Sequence, residues 1–139
     1  MSAFRNYETQ FRDQQCLVDA LKELGYAPEV HEKPVHLFGY HGDKREQTAE
    51  VVIRRNQVGS ASNDVGYKRN DDGSFSAIIS DYDNGCTFNK TKQKSLARIY
   101  AEKQTMTLAN ANGMRFISKE RVKGASGQFQ TKLVFESAK

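Results

Sequence analysis

Between Ala49 and Asp83 the chain reads AEVVIRRN, a polar connection, DVGYKRN, the turn residues DDG, and then SFSAIISDYD. No other stretch restricts the fold as much. In AEVVIRR, Val51 and Ile53 project to one side of an extended chain and Val52 to the other, so this strand needs cover on both faces. In SFSAIISD, Phe75, Ala77 and Ile79 share one face and Ile78 takes the other. Asn70-Asp71-Asp72-Gly73 has the chemistry of a tight hairpin turn, because Gly73 and Asn70 tolerate positive φ. NQVGSASN (56–63) reads as an exposed connection with Gly and Ser. An antiparallel meander follows, and the remaining elements have to cover it.

Upstream, Ala3 to Phe11 alternates as a strand with Phe4 on one face and Tyr7 and Phe11 toward the other. Asp13 stands where an N-cap belongs. Cys16, Leu17, Ala20, Leu21 and Leu24 then recur at helical spacing, and Gly25 supplies the left-handed position that ends a helix. Pro28 to Lys33 reads as a short edge-like strand. From Pro34 to Thr48, Gly39 and Gly42 interrupt regular structure, which predicts an ordered loop or bulged strand and then a mobile charged tip at Asp43–Gln47.

Downstream, Asp83 to Thr87 reads as a turn. Thr87 or Asn89 caps a long helix reaching about Asn112, with Leu96, Ile99 and Tyr100 on its buried side and Gly113 closing it. MRFISKERV and QFQTKLVFE alternate as two strands around KGASG, with Phe116, Val122, Phe129, Leu133 and Phe135 inward. The order is β-α-β-β-β-β-α-β-β. It predicts an α+β fold, mainly antiparallel, with two helices on one face, as a ferredoxin-like or TBP-like elaboration.

At 139 residues the chain is expected to form a single domain, 1–139, with a core that needs neither metal nor disulfide. Its apolar runs fall far short of the roughly 20 residues that cross a bilayer, and its start lacks a signal-peptide pattern. A soluble protein of the cytoplasm is expected, or of the plastid stroma if organelle-encoded. Cys16 and Cys86 lack CxxC spacing and read as reduced thiols. Net charge is +4, unevenly spread: residues 1–89 carry ten Lys/Arg against fourteen Asp/Glu, and residues 90–139 eleven against three. A basic C-terminal half suits a phosphate backbone or an acidic protein.

With the elements placed, a family resemblance can be read. The opening MSAFRNYETQFRDQQCLVDALKELGY, then FGYHGDKREQTAEVVIRR and DVGYKRNDDGSFSAIISDYD, resemble the corresponding segments of the Ycf35-like (DUF1257) family of cyanobacteria and red-algal plastids. The likeness covers residues 1 to about 110. Ala3 stands where members usually have His, and Asp81-Tyr82-Asp83 where they often have Asp followed by tryptophans; this chain has no Trp. The resemblance implies a small accessory protein rather than an enzyme with named chemistry. Asp64, Arg69 and Asp81 match the family's recurrent pattern.

His31, His36 and His41 fall five residues apart without the spacing that fixes a metal site, so no metal and no cofactor is expected. There is no G-x-S-x-G, Walker A or dinucleotide fingerprint, and no catalytic residue is named. Asp64 opens one strand and Asp81 ends the next, which places them at one end of the sheet, with Arg54, Arg55 and Arg69 toward the opposite side or on alternate faces. Surface ion pairing explains these charges blandly. As ligand-binding residues, Arg54, Asp64, Arg69 and Asp81 are the candidates. Lys90, Lys94 and Arg98 form a helical i, i+4, i+8 row suited to nucleic acid or an acidic partner. The expected function is a non-enzymatic accessory or binding protein that engages a protein or an RNA-containing assembly through its basic half, away from any membrane. The alternative is a small-molecule- or nucleotide-binding protein, weakly catalytic at most, with a pocket bounded by Arg54, Arg69, Asp81 and the Gly39–Gly42 loop.

Overall fold

The computed structural model describes residues 3–124 and 129–137. The chain divides into two compact units, Met1–Tyr100 and Ala101–Lys139, and the division falls inside one long helix.

In the first unit, strand β1 (Phe4–Glu8) leads into helix α1 (Gln14–Glu23). Strands β2 (Glu29–Phe38) and β3 (Lys44–Ile53), the one-turn helix α2 (Arg55–Val58), and strands β4 (Val65–Arg69) and β5 (Phe75–Ser80) follow. The short helix α3 (Asp81–Gly85) precedes the long α4 (Lys90–Ala111). The sheet order is β1-β5-β4-β3-β2 and every pairing is antiparallel. This is the α+β class that the alternation and capping residues predict.

From Val51 onward, period-two alternation divides the apolar strand residues between two clusters, while Ala49 joins the Val52 side against that parity, next to a register shift in the β2–β3 pairing. Val51, Ile53, Val65, Tyr67, Phe75, Ala77 and Ile79 pack with Cys16, Leu17 and Leu21 of α1 and with Leu96, Ile99 and Tyr100 of α4. Both helices therefore lie on one face. Tyr100 buries its ring there because its hydroxyl accepts hydrogen bonds from the Arg12 and Asp13 amides, at 2.9 and 3.0 Å. The other face holds Leu37, Ala49, Val52 and Ile78, flanked by Phe4 and Val35. The Leu37 side chain lies over β4 at Gly66. A Cβ on Gly66 would lie 2.8 Å from the Ala49 Cβ and 3.0 Å from the Leu37 methyls, so this close approach requires glycine.

The helix ends follow their local chemistry. The Asp13 carboxylate accepts from the Cys16 amide at 3.0 Å, and Gly25 closes the helix at φ +100°. The Asn89 side chain accepts from the Lys92 amide at 3.1 Å, and Gly113 follows α4 at φ +71°.

The stretch expected to be a turn at Asp83–Thr87 is helical as far as Gly85, as part of α3, and three expectations about the strands of this unit also need correcting. The strand beginning near Pro28 runs on to Phe38 with register shifts between Val30 and Val35 and between His36 and Phe38. The stretch expected to be a mobile tip at Asp43–Gln47 is instead mostly the start of β3, with Lys44 paired to Phe38. The glycines that suggested disruption make a tight turn, in which the Gly39 amide donates to the Asp43 carbonyl at 2.8 Å and Gly42 adopts φ +77°. Third, β3 stops at Ile53, and Arg55 opens α2 rather than extending the strand.

The second unit holds the end of α4 and a two-stranded antiparallel sheet, β6 (Met114–Lys123) with β7 (Phe129–Ser137). Lys119 Nζ donates to the buried Glu102 carboxylate at 2.9 Å. Phe116 and Phe135 are paired across the strands, with ring centroids 5.8 Å apart. Phe116, expected inward, is 40% exposed, whereas Val122, Leu133 and Phe135 are half-buried. A sheet of only two strands leaves its apolar side chains partly in solvent. Residues 125–127 of the expected KGASG turn and the side chain of Phe129 lie outside the described residues. Among the described residues, no helix is long and apolar enough to cross a membrane.

Candidate functional site

At the end of the sheet where β3 and β5 finish and β4 begins, the chain gathers a set of buried polar groups. Ser62, Asn63, Asp64, Ser80 and Asp83 are each no more than 1% exposed. Burying such groups is tolerable only when their hydrogen-bonding capacity is met. Here it is met within two linked centres.

Asp64 is the first. Its Oδ2 accepts from the Phe38 amide and from Arg54 Nη1, each at 2.8 Å, and its Oδ1 accepts from the Arg55 amide at 2.8 Å. The Asp64 amide in turn donates to the Phe38 carbonyl at 3.0 Å. One residue thus ties the end of β2 to the end of β3. Arg54 presents its remaining edge to Glu29, with Nε and Nη2 donating to the two carboxylate oxygens at 2.9 Å each. The planar guanidinium suits this bidentate contact. The Arg54 bonds, then a bond from His31, hold the Glu29 carboxyl below its ordinary value against the opposing effect of partial burial. Glu29, and after it Asp64, raise Arg54 in turn.

Asp83 is the second centre. Its Oδ2 accepts from the Ser80 hydroxyl at 2.7 Å, the Asn63 amide at 3.0 Å and Asn63 Nδ2 at 3.1 Å, while Thr87 donates to Oδ1. The Ser62 hydroxyl reaches Thr87 at 3.1 Å. Asn63 Oδ1 accepts from the Tyr40 amide at 3.0 Å, joining the β2–β3 turn to the same centre. Burial works against the Asp83 charge, but bonds from Thr87, Ser80, Ser62 and Asn63 outweigh it and hold the carboxyl below its ordinary value.

The structure separates the residues singled out from sequence. Arg54 and Asp64 form a direct ion pair, so Arg54 lies at the Asp64 end of the sheet and not opposite it. Asp81 is at that end too, but on the surface, where it accepts from Arg5 Nε at 2.6 Å. Arg69 lies at the far end of β4, paired with Phe75. Its guanidinium sits 4.7 Å over the Phe75 ring and donates to Gln14 Oε1 at 2.7 Å. Lys90, Lys94 and Arg98 are all exposed on α4. The histidines are dispersed: His31 meets Glu29, His36 Nδ1 meets the Arg45 carbonyl, and His41 lies against Tyr40. Among the described residues no three potential metal ligands are gathered.

Beside the Asp64 centre is a cleft of about 550 Å³, lined by Phe38, Gly42, Arg54, Arg55, Ser60 and Asp64 among others. Arg69 and Asp81 do not line it; Arg69 borders a separate hollow of about 350 Å³ with His31 and Glu50. Pattern alone does not distinguish Arg55, Ser62, Asn63 and Glu29 as site residues. One signal is present for the second centre: Ser80 and Asp83 have capping-box spacing, and the Ser80 hydroxyl does accept from the Asp83 amide at 3.1 Å. The connection expected to be exposed is buried at Ser62 and Asn63, because Asp83 and Tyr40 bind them.

A family model described as "Protein of unknown function (DUF1257)" matches residues 20–130. The chain belongs to the DUF1257 family. No curated protein and no solved structure matches it. The match to DUF1257 runs from the last turn of α1 to the first residues of β7 and so includes both polar centres and the cleft.

Proposed function

We propose that this DUF1257 protein is a non-enzymatic binding module that engages an anionic partner, an RNA-containing assembly or an acidic protein surface. The observation that carries the reading is the row Lys90, Lys94 and Arg98 on α4. All three are exposed, while Leu96, Ile99 and Tyr100 of the same helix are in the core. Four residues of helix advance about 6 Å, so the row is a stiff track of regularly spaced positive charge. The buried carboxylates support a scaffold role instead of acid–base chemistry, since the oxygens of Asp64 and Asp83 are already occupied by amides, hydroxyls and a guanidinium.

The test is the triple variant K90Q/K94Q/R98Q. It is expected to fold, because none of the three side chains enters the core, although Lys90 gives up its place 5.5 Å from the centre of the Tyr7 ring. Binding to RNA of any sequence should weaken uniformly. The slope of log affinity against log salt should fall by ~0.7–0.9 for each phosphate that is no longer neutralised. Unchanged RNA binding, together with unchanged co-purification of partners from native cells, would remove the basis of the proposal.

A second reading, a small-molecule- or nucleotide-binding protein, is favoured by the cleft beside Asp64, whose volume is within the range of about 300–1,000 Å³ typical of ligand sites. In a panel of nucleotides and metabolites, a true ligand at 100 times its Kd should stabilise the fold by ~2.7 kcal/mol, read as a rise in Tm. A panel with no response counts against it.

A further inference from the structure

The charges lining the cleft beside Asp64 are not equivalent. Arg54 is committed on both edges, to Glu29 and to Asp64. Asp64 has its oxygens filled by Arg54 and by the Phe38 and Arg55 amides. That leaves Arg55. It is half-buried in the cleft wall, and its guanidinium makes no hydrogen bond or ion pair with any described residue. Its main chain, by contrast, is pinned by the bond from its amide to Asp64 at 2.8 Å. Its guanidinium donors are therefore open to whatever enters the cleft, and a concave wall concentrates its field there.

We infer that Arg55 is the anchoring cation of a site for a phosphate-bearing, nucleotide-sized metabolite in this cleft. The inference rests on the small-molecule reading and adds to it the ligand class and the residue that selects it. Arg55 offers a planar fork of donors that matches phosphate oxygens. Around it the lining is neutral and polar at Ser60 and Asn56, and Gly42 presents only backbone. The volume of about 550 Å³ exceeds the needs of orthophosphate alone and leaves room for an organic portion against the wall that includes Phe38. The Arg54–Glu29–Asp64 network binds no ligand in this scheme. It occupies the hydrogen-bonding groups of Arg54 and Asp64, so that the Arg55 guanidinium is the charged donor of the lining left for a ligand.

The test titrates wild type, R55Q and R55K with adenosine monophosphate, orthophosphate and adenosine at constant ionic strength, by calorimetry and thermal shift. Wild type should bind adenosine monophosphate saturably, orthophosphate more weakly and adenosine least. R55Q should lose about tenfold or more in affinity for both phosphates, as removal of one charge-assisted hydrogen bond implies, while its unliganded Tm stays within roughly 1–2 °C of wild type. R55K should fall between them. The K90Q/K94Q/R98Q variant should respond as wild type does, which separates the cleft from the helix row. Equal binding of adenosine monophosphate by R55Q and wild type, or of adenosine and its monophosphate by wild type, overturns the inference and leaves the small-molecule reading in place. No saturable response to either phosphate also overturns it, and the broader panel then decides the reading by itself.

Discussion

Asp64→Ala is expected to destabilise the first unit by about 3–5 kcal/mol, the loss typical of removing one partner from a buried charge pair. Asp64 is 1% exposed, and its deletion strips acceptors from the Phe38 and Arg55 amides and from Arg54 at the same time. Glu29 alone would then pair the Arg54 charge, and the ends of β2 and β3 would keep the 3.3 Å bond from Arg54 Nη1 to the His36 carbonyl but lose the links through Asp64. In urea unfolding the midpoint should fall by more than ~1 M, given a slope of about 1–3 kcal/mol per molar for a small domain. Asp81→Ala is the internal control. Asp81 is also an ion-paired acid at this end of the sheet, but its pair with Arg5 is largely exposed, at 45% and 63% for the two side chains. Its midpoint should barely move. If the two variants unfold at the same urea concentration, Asp64 is not the tie described.

Asp83→Ala should have an effect of similar size, about 3 kcal/mol or more, with a distinct dependence on pH. The substitution leaves the buried Asn63 amide, Asn63 Nδ2 and Ser80 hydroxyl, and the half-buried Thr87 hydroxyl, without their common acceptor. The native Asp83 and Glu29 carboxyls both titrate below their ordinary values. In the unfolded chain they take up protons at about 3.9 and 4.3, respectively. As pH falls, the unfolded state therefore binds protons first, and linkage requires the fold to lose stability. These groups contribute their full stabilisation above about pH 5, and it is lost as pH falls through 4 toward their native values. Wild type should show a steep acid limb in a stability–pH profile. Asp83→Ala should start lower at pH 7 and decline less steeply below pH 4. Parallel acid limbs for the two proteins would mean that Asp83 is not the source.

Much of the fold is legible in the sequence because its determinants are local. The opposite facing of Val51 and Ile53 against Val52, and of Phe75, Ala77 and Ile79 against Ile78, follows from strand geometry alone, and the two clusters reproduce it. The limits of the two long helices follow from Asp13, Gly25, Asn89 and Gly113, whose capping chemistry acts within one turn. Lys90, Lys94 and Arg98 are exposed because the core stripe of the same helix leaves them no other face.

Only the tertiary structure decided the polar site. Ser62, Asn63 and Asp64 have the composition of a surface connection, and what buries them is a set of partners distant in sequence: Phe38, Tyr40, Arg54, Ser80 and Asp83. Asp81 and Asp83 are two residues apart with the same side chain, yet one is solvent-exposed and the other fully buried, because α3 turns them to opposite sides. Arg54 and Arg55 are adjacent and identical and both line the cleft, yet Arg54 is bound by two carboxylates while the Arg55 guanidinium meets no described partner. Periodicity and propensity describe what a residue does with its near neighbours. Whether a charge is spent inside the protein or left for a partner depends on which distant groups the fold brings within about 3 Å of it.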